Sequence, residues 1–568
     1  MAAYFWVGGT GTWSGTGNTQ FAVTSGGVAT LLDPTNADTV TFDANSGTAA
    51  TVTVTSTAVS LSTTINKSDI NLSLSGSPTL CTAAGTCTLT AGTLTLNTFT
   101  LSTGLFSSSN SNTRVLNFDT GNITLTGVNT TIFNTTTVTG MTITGTPVVN
   151  CTATTGTSVQ TRTFISGAHG ESQSISVNIN PGTSAVDIFR LATNSGAFKD
   201  VTFSSTFTGT IQVSNTIIIY GNFDSGGATV YTGPSTVTFA ATSGTKTIKT
   251  SGLVIDSPIT FNGVGGTWQL QNALTSGATR TCTLTNGTLD LNSFTLTTGI
   301  FAGSGSGVRQ LVTNSVPIVV TGNAATVVNF GTTTNYTVDV NPTFNLAYSG
   351  SVGTRNISVG ATSNLPVTPN ITVTLGSDIV TTSGTTTVNN LTFTGFTGRL
   401  GNFGRSIYGN LTLVSGMTVD SGALTNTFIG VSSQTITTAG QTLDFPITFN
   451  GVGGTFQLQD ALTLGSTQPL TMTNGTLQLK SGTTSTVGSF ATSGTNQKFL
   501  QATTPASRAT LSQASGTVSV SYLTIQDSAA TGGAVFNAFT SNANVNSGNN
   551  TGWKFGSANS AGGFLQFF

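Results

Sequence analysis

The sequence predicts an all-β protein assembled from repeats, and three observations carry that prediction. First, long stretches recur: residues 261–271 read FNGVGGTWQLQ and residues 449–459 read FNGVGGTFQLQ, a spacing of 449 − 261 = 188. Second, apolar and hydroxyl residues alternate, as in Thr51-Val52-Thr53-Val54-Thr55 and Thr93-Leu94-Thr95-Leu96. A period of two sends successive side chains to opposite faces of a sheet, one facing the core and one facing water. Third, helical periodicity is almost absent, while Thr, Val, Phe and Ile fill segments punctuated by Gly, Asn and Ser, the residues of turns.

Along the chain, residues 1–63 read as an N-terminal cap or attachment region. Module one, 64–255, carries CTLTAGTLTLNTFTLSTGLF from Cys87; module two, 256–443, matches it with CTLTNGTLDLNSFTLTTGIF from Cys282, at 282 − 87 = 195. Tyr220-Gly221-Asn222 and Tyr408-Gly409-Asn410 keep the 188 spacing, as do Pro258-Ile259-Thr260 and Pro446-Ile447-Thr448. A truncated third copy covers 444–505 and a C-terminal β module covers 506–568. Asn286-Gly287 and Asn474-Gly475 share one repeat position, and Asn-Gly supplies the positive φ of a tight turn. Short strands are therefore expected at 288–291 and 476–479. Tandem copies of this length belong to scaffolds and binding surfaces more often than to single-pocket enzymes.

Composition narrows the classes. Only 6% of the 568 residues are charged and the formal net charge is −1, against roughly a quarter charged in an ordinary soluble protein. The 16 basic residues are scattered singly from Lys67 to Lys554, whereas a nucleic-acid binder clusters them against phosphates. Apolar residues make up 36%, enough for a core. No stretch approaches the roughly 18 to 20 apolar residues of a membrane helix; the nearest are Ile217 to Tyr220 and residues 563–568. The opening residues, Met1 to Gly9, lack the basic and apolar regions of a secretory signal, so the expectation is synthesis and assembly in the cytosol.

Four cysteines, Cys81, Cys87, Cys151 and Cys282, are too few for a disulfide framework. Cys87 aligns with Cys282, and 282 + 188 = 470 lands on Leu470. That position reads as core, with a Cys81–Cys87 disulfide as the alternative. Arg114 and Arg309 recur, as do Thr161-Arg162 and Thr354-Arg355. In so uncharged a chain they are expected to bind backbone carbonyls at module corners.

The search for chemistry yields no catalytic, cofactor-binding or metal assignment. His169, the one histidine, sits beside the one glutamate in Gly167-Ala168-His169-Gly170-Glu171-Ser172. Adjacent residues do not converge as a Ser-His-acid triad must, and the motif reads as an exposed loop insertion. Asp33, Asp38 and Asp43 form the densest acidic group. They are read as turn and cap residues, with a Ca²⁺ site as the alternative. Asp256 and Asp444 recur beside the repeated prolines as turn residues, whereas Asp290 becomes Gln478. Trp268 becomes Phe456, which favours core packing over a sugar platform, while Trp6, Trp13 and Trp553 read as residues covering the ends. The apolar terminus 564–568 is read as docking on a neighbouring subunit.

The pattern from Leu284 to Leu296, L-T-N-G-T-L-D-L-N-S-F-T-L, resembles coils of right-handed parallel β-helices in autotransporter passengers and haemagglutinin-like adhesins. The ends, Trp6-Val7-Gly8-Gly9-Thr10-Gly11-Thr12-Trp13 with Asp38 to Asp43, and Tyr522 to Ser528 through Asn549 to Phe555, are similar to β-helical passenger repeats and phage virion proteins. The resemblance implies an elongated right-handed parallel β-helix or solenoid, with tandem β-sandwich modules as the alternative. It also implies a non-enzymatic structural or adhesive component of a phage virion, a fibre, tail or capsid-surface protein, assembled in the host cytoplasm. Expected partners are other virion proteins, further copies of the chain and a host-surface glycan, without nucleic acid or membrane insertion. A glycan-depolymerising tailspike, a bacterial cell-surface adhesin and ice binding by Thr ladders are the alternatives.

Overall fold

The computed structural model describes residues 1–128, 131–153, 159–180, 187–191, 196–360, 367–384, 386–401 and 404–556. The fold is nearly all β, a stacked parallel β-solenoid of about 22 turns. Tandem β-sandwiches are excluded, because strands of successive turns pair in parallel whereas sandwiches are built from antiparallel neighbours. The chain forms two compact units, Met1–Phe294 and Thr295–Phe568, so the second sequence module, 256–443, runs through the divide.

Unit 1 begins with β1 (Ala3–Trp6), β2 (Gly11–Trp13) and β3 (Phe21–Ala22), followed by β4 (Thr39–Phe42) and β5 (Thr51–Val54). The long β6 (Ser62–Leu74) pairs with β4 through its first half and with β5 through its second. It thereby turns a corner without leaving the ladder. Next come β7 (Thr86–Thr95), β8 (Thr100–Thr103) and β9 (Leu105–Ser107), each stacked on the turn before. The expected alternation is realised: in β5, Val52 and Val54 are fully buried while Thr51 and Thr53 face outward.

Identical positions on successive turns lie about 4.8 Å apart, so inward residues form columns. Phe106, Phe133 and Phe164 stack at 5.4 and 4.3 Å between centroids in unit 1; Phe428 and Phe449 stack at 5.3 Å in unit 2. Parallel register thus turns a repeated Phe into a continuous apolar rod, with offset ring contacts adding to area burial.

The repeated FNGVGG motif is a bulged corner. In the strand Ile259–Leu270, Asn262 pairs with Asn286 and Thr267 with Thr288, so Gly263 to Gly266 span what Gly287 alone spans on the next turn. The strand Ile447–Leu458 repeats this, with Asn450 on Asn474 and Thr455 on Thr476. A Cβ on Gly263 would lie 1.9 Å from the Ala241 carbonyl oxygen, and one on Gly451 equally close to that of Gly430, so only glycine fits.

Asn286-Gly287 and Asn474-Gly475 behave differently from expectation. They lie inside continuous strands, Thr281–Asp290 and Pro469–Leu479, rather than before new ones. The glycines do take positive φ, 79° and 87°, but the turn below bends at the same place and pairing carries on through the corner. Among the described residues no helix is long and apolar enough to cross a membrane. Ile217–Ile219 is a buried strand, and residues 564–568 lie outside the described residues.

Candidate functional site

Five arginines of this chain, Arg114, Arg162, Arg309, Arg355 and Arg405, are buried. Arg114 is fully buried; its Nε donates to Ser108 Oγ at 2.8 Å and its Nη1 to the carbonyls of Asn112 and Thr139 at 2.8 and 2.9 Å. Its Nη2 reaches the carbonyls of Ser108 and Thr137. Arg309 repeats the arrangement on Gly303, Gly307, Thr334 and Thr332. These are the expected carbonyl contacts, and they tie each corner to the turn above through a fork of donors.

Arg162 and Arg355 add a partner that the sequence reading missed. Arg162 Nη2 lies 2.6 Å from Asp187 Oδ2, with both side chains fully buried. Arg355 binds Asp378 through two contacts, Nε to Oδ2 at 2.8 Å and Nη2 to Oδ1 at 2.7 Å. A signal existed: Asp187-Ile188 and Asp378-Ile379 recur at 378 − 187 = 191.

The acidic group near the N-terminus does not converge. Asp33 Oδ1 accepts from the Asn18 backbone and side chain at 2.9 and 2.8 Å; Asp38 accepts from Ala2 N and Thr35; Asp43 Oδ1 accepts from Asn45 N at 3.0 Å. The Asn18 backbone bond holds Asp33, and the Thr35 hydroxyl holds Asp38, below the usual carboxylate range. Each carboxylate closes its own turn. Among the described residues no three His, Cys, Asp or Glu side chains gather as metal ligands. Asp256 takes a two-pronged contact from Arg280, at 2.8 and 3.1 Å, and its copy Asp444 accepts from Gln468 at 3.2 Å. Asp290 accepts from Gln269 at 2.9 Å.

His169 corrects an expectation. The loop does lie at the surface, with Ala168, Gly170 and Ser172 exposed, but the imidazole is tucked inward and 5% exposed. Burial, and secondarily the Arg114 charge, pushes it down to about 4, so it is neutral near pH 7. Glu171 accepts from the Thr242 hydroxyl at 2.5 Å, 71 residues away. That long-range bond pins the loop and directs the carboxylate to Thr242.

All four cysteines are free and buried. Trp268 and Phe456 are both 0% exposed, as core packing requires. Trp6 and Trp13 pack edge-on against Phe21 at 5.2 and 5.9 Å, and Trp553 against Phe536 at 5.1 Å. These indoles lie in the first and last described turns as interior residues.

Part of the solvent-facing surface consists of neutral side chains held in register. Asn496 donates to Asn474 and Asn474 to Asn450, each at 2.7 Å. Asn178, Asn150 and Asn122 form a second ladder at 3.0 and 3.2 Å. Thr372, Thr392, Thr412 and Thr437 stack on four successive strands. Over β7 and β9 a surface depression of about 380 Å³ is lined by Thr86, Thr88, Ser107, Thr131 and Asn134 with Leu105 and Phe106. Such faces offer hydrogen-bond donors and acceptors at one spacing.

Fold and surface together define a parallel β-solenoid protein with neutral polar ladders outside and Arg-clamped corners inside. No family model, curated protein or solved structure matches the chain.

Proposed function

We propose that the chain is a non-enzymatic structural or adhesive component of a phage virion, whose stacked turns set spacing and whose outer ladders contact uncharged host-surface polyol. The observation carrying this reading is the run of in-register Asn and Thr side chains on the outer faces, exemplified by Asn450, Asn474 and Asn496. Neutral donors and acceptors suit hydroxyl-rich glycans, and low charge limits indiscriminate attraction. The virion assignment rests on the end motifs around Trp6 to Trp13 and Asn549 to Phe555.

Gold labelling with an antibody against residues 506–568, on lysate from the source organism viewed by electron microscopy, tests this reading. Label on particles, at head or tail, is expected. Label confined to cell envelopes would replace the virion with a cell-surface adhesin. New reducing ends after incubation of the purified protein with host polysaccharide would replace the non-enzymatic role with a depolymerising tailspike.

A further inference from the structure

One corner of unit 1 holds two thiols facing each other. Cys81 stacks over Ser60 and Cys87 over Thr63, and the two hydroxyls below are bonded to each other at 2.8 Å. One turn on, Cys81 and Cys87 occupy the corresponding stacked positions, with Ser60 Oγ 3.9 Å from Cys81 Sγ. Both cysteines are buried beneath a corner whose Ala83 and Ala84 are exposed.

The other copies of this corner dispense with the pair. At the equivalent positions stand Ser276 and Cys282, stacked over Ile255 and Ile259, and then Leu464 and Leu470, stacked over Leu443 and Ile447. All four are buried. The corner therefore packs without a dithiol, and where two thiols do occur their neighbours below are hydroxyls instead of aliphatic side chains.

We propose that Cys81 and Cys87 form a modification site, a dithiol that exchanges with low-molecular-weight disulfides to close a reversible Cys81–Cys87 bond across the corner. The Cys81 thiolate attacks one sulfur of the disulfide RSSR, forms a Cys81–S–S–R bond and expels RS⁻. Cys87 passes its proton to the expelled RS⁻, attacks the Cys81 sulfur and expels the second RS⁻. Two protein thiols become one disulfide, and RSSR is reduced to two thiols. The surroundings assign the roles. Hydrogen bonds from Cys87 and the neighbouring hydroxyls bring Cys81 down to about 7, while Cys87, as donor to that thiolate and fully desolvated, is held up as the thiol. Burial raises Cys151 and Cys282 to about 12, which makes them internal controls.

The test uses the full folded chain incubated with oxidised glutathione, then acid-quenched, denatured, alkylated and mapped by mass spectrometry. Alkylation is expected to fall from all four cysteines to Cys151 and Cys282 alone, with Cys81 and Cys87 linked, and dithiothreitol should restore it. Cys81→Ser places at this corner the residue its second copy already carries, so it should fold, and its remaining cysteines should stay alkylated after the same treatment. Full alkylation of Cys81 and Cys87 after oxidation, arrest at a glutathione adduct on Cys81, or equal oxidation of Cys151 and Cys282 would each overturn the proposal.

Discussion

Arg162 and Asp187 form a fully buried ion pair at 2.6 Å between successive turns, and Arg355 and Asp378 form the same pair in unit 2 at 2.7 Å. Strand pairing explains the geometry: Thr161 stands on Ile188 and Thr354 on Ile379, so the Asp just before each isoleucine arrives beside the arginine one turn down.

Removing one member should be costly, because the other is left as an uncompensated buried charge. Arg355→Met is expected to destabilise unit 2 by about 3 to 5 kcal/mol, whereas Arg355→Met with Asp378→Leu should recover most of that loss. Urea unfolding of the two variants, followed through the transition of unit 2, checks the difference.

Trp268 and Phe456 occupy one repeat position with different rings. Phe456 compensates for its smaller size by approaching Phe449 to 4.8 Å, against 5.7 Å between Trp268 and Phe261. Trp268→Phe should therefore cost less than about 1.5 kcal/mol and Trp268→Ala about 3 to 5 kcal/mol. Equal losses in thermal unfolding would mean that the indole has a role beyond filling space.

His169 makes stability depend on pH. In the unfolded chain the imidazole protonates near its ordinary 6.5, but in the folded chain only near 4. Between those values the unfolded state binds more protons, so stability is full above about 6.5 and drains away as pH falls toward about 4. At about 1.4 kcal/mol per pH unit of separation the whole effect is at most about 3 to 4 kcal/mol. The stability of wild type relative to His169→Leu, measured by denaturant titration at several pH values, should rise with pH and become constant above about 6.5.

Gly475 turns its corner at φ 87°, and a Cβ there would lie 2.6 Å from the Gly451 carbonyl oxygen; Gly482 has φ 73° with open space around it. Gly475→Ala should cost clearly more than Gly482→Ala, which carries only the backbone penalty of about 1 kcal/mol. Melting temperatures of the two variants compare them directly.

The repeats and the inward–outward alternation were legible because period two and parallel stacking are both written into neighbouring residues, as in Thr51 to Val54. The carbonyl-clamped Arg114 and Arg309 were legible too, since so few carboxylates are available to an arginine here. Asp187 and Asp378 were not, because their partners are set by the length of a whole turn and not by local spacing. Asn286-Gly287 misled for a related reason: a chain reversal and a solenoid corner ask for the same φ, and only the turn beneath tells them apart. Asp33, Asp38 and Asp43 are close in sequence and yet serve separate turns, while His169 is buried by a loop anchored 71 residues away at Thr242.

The two-residue β3 has a consequence out of proportion to its length. It runs antiparallel to β1, pairing Phe5 with Ala22 and Trp6 with Phe21, and so occupies the edge onto which another parallel turn would add. A growing cross-β fibre recruits its next strand through such an edge. At β1 that edge is already taken, so a further parallel strand can add there only if β3 is displaced.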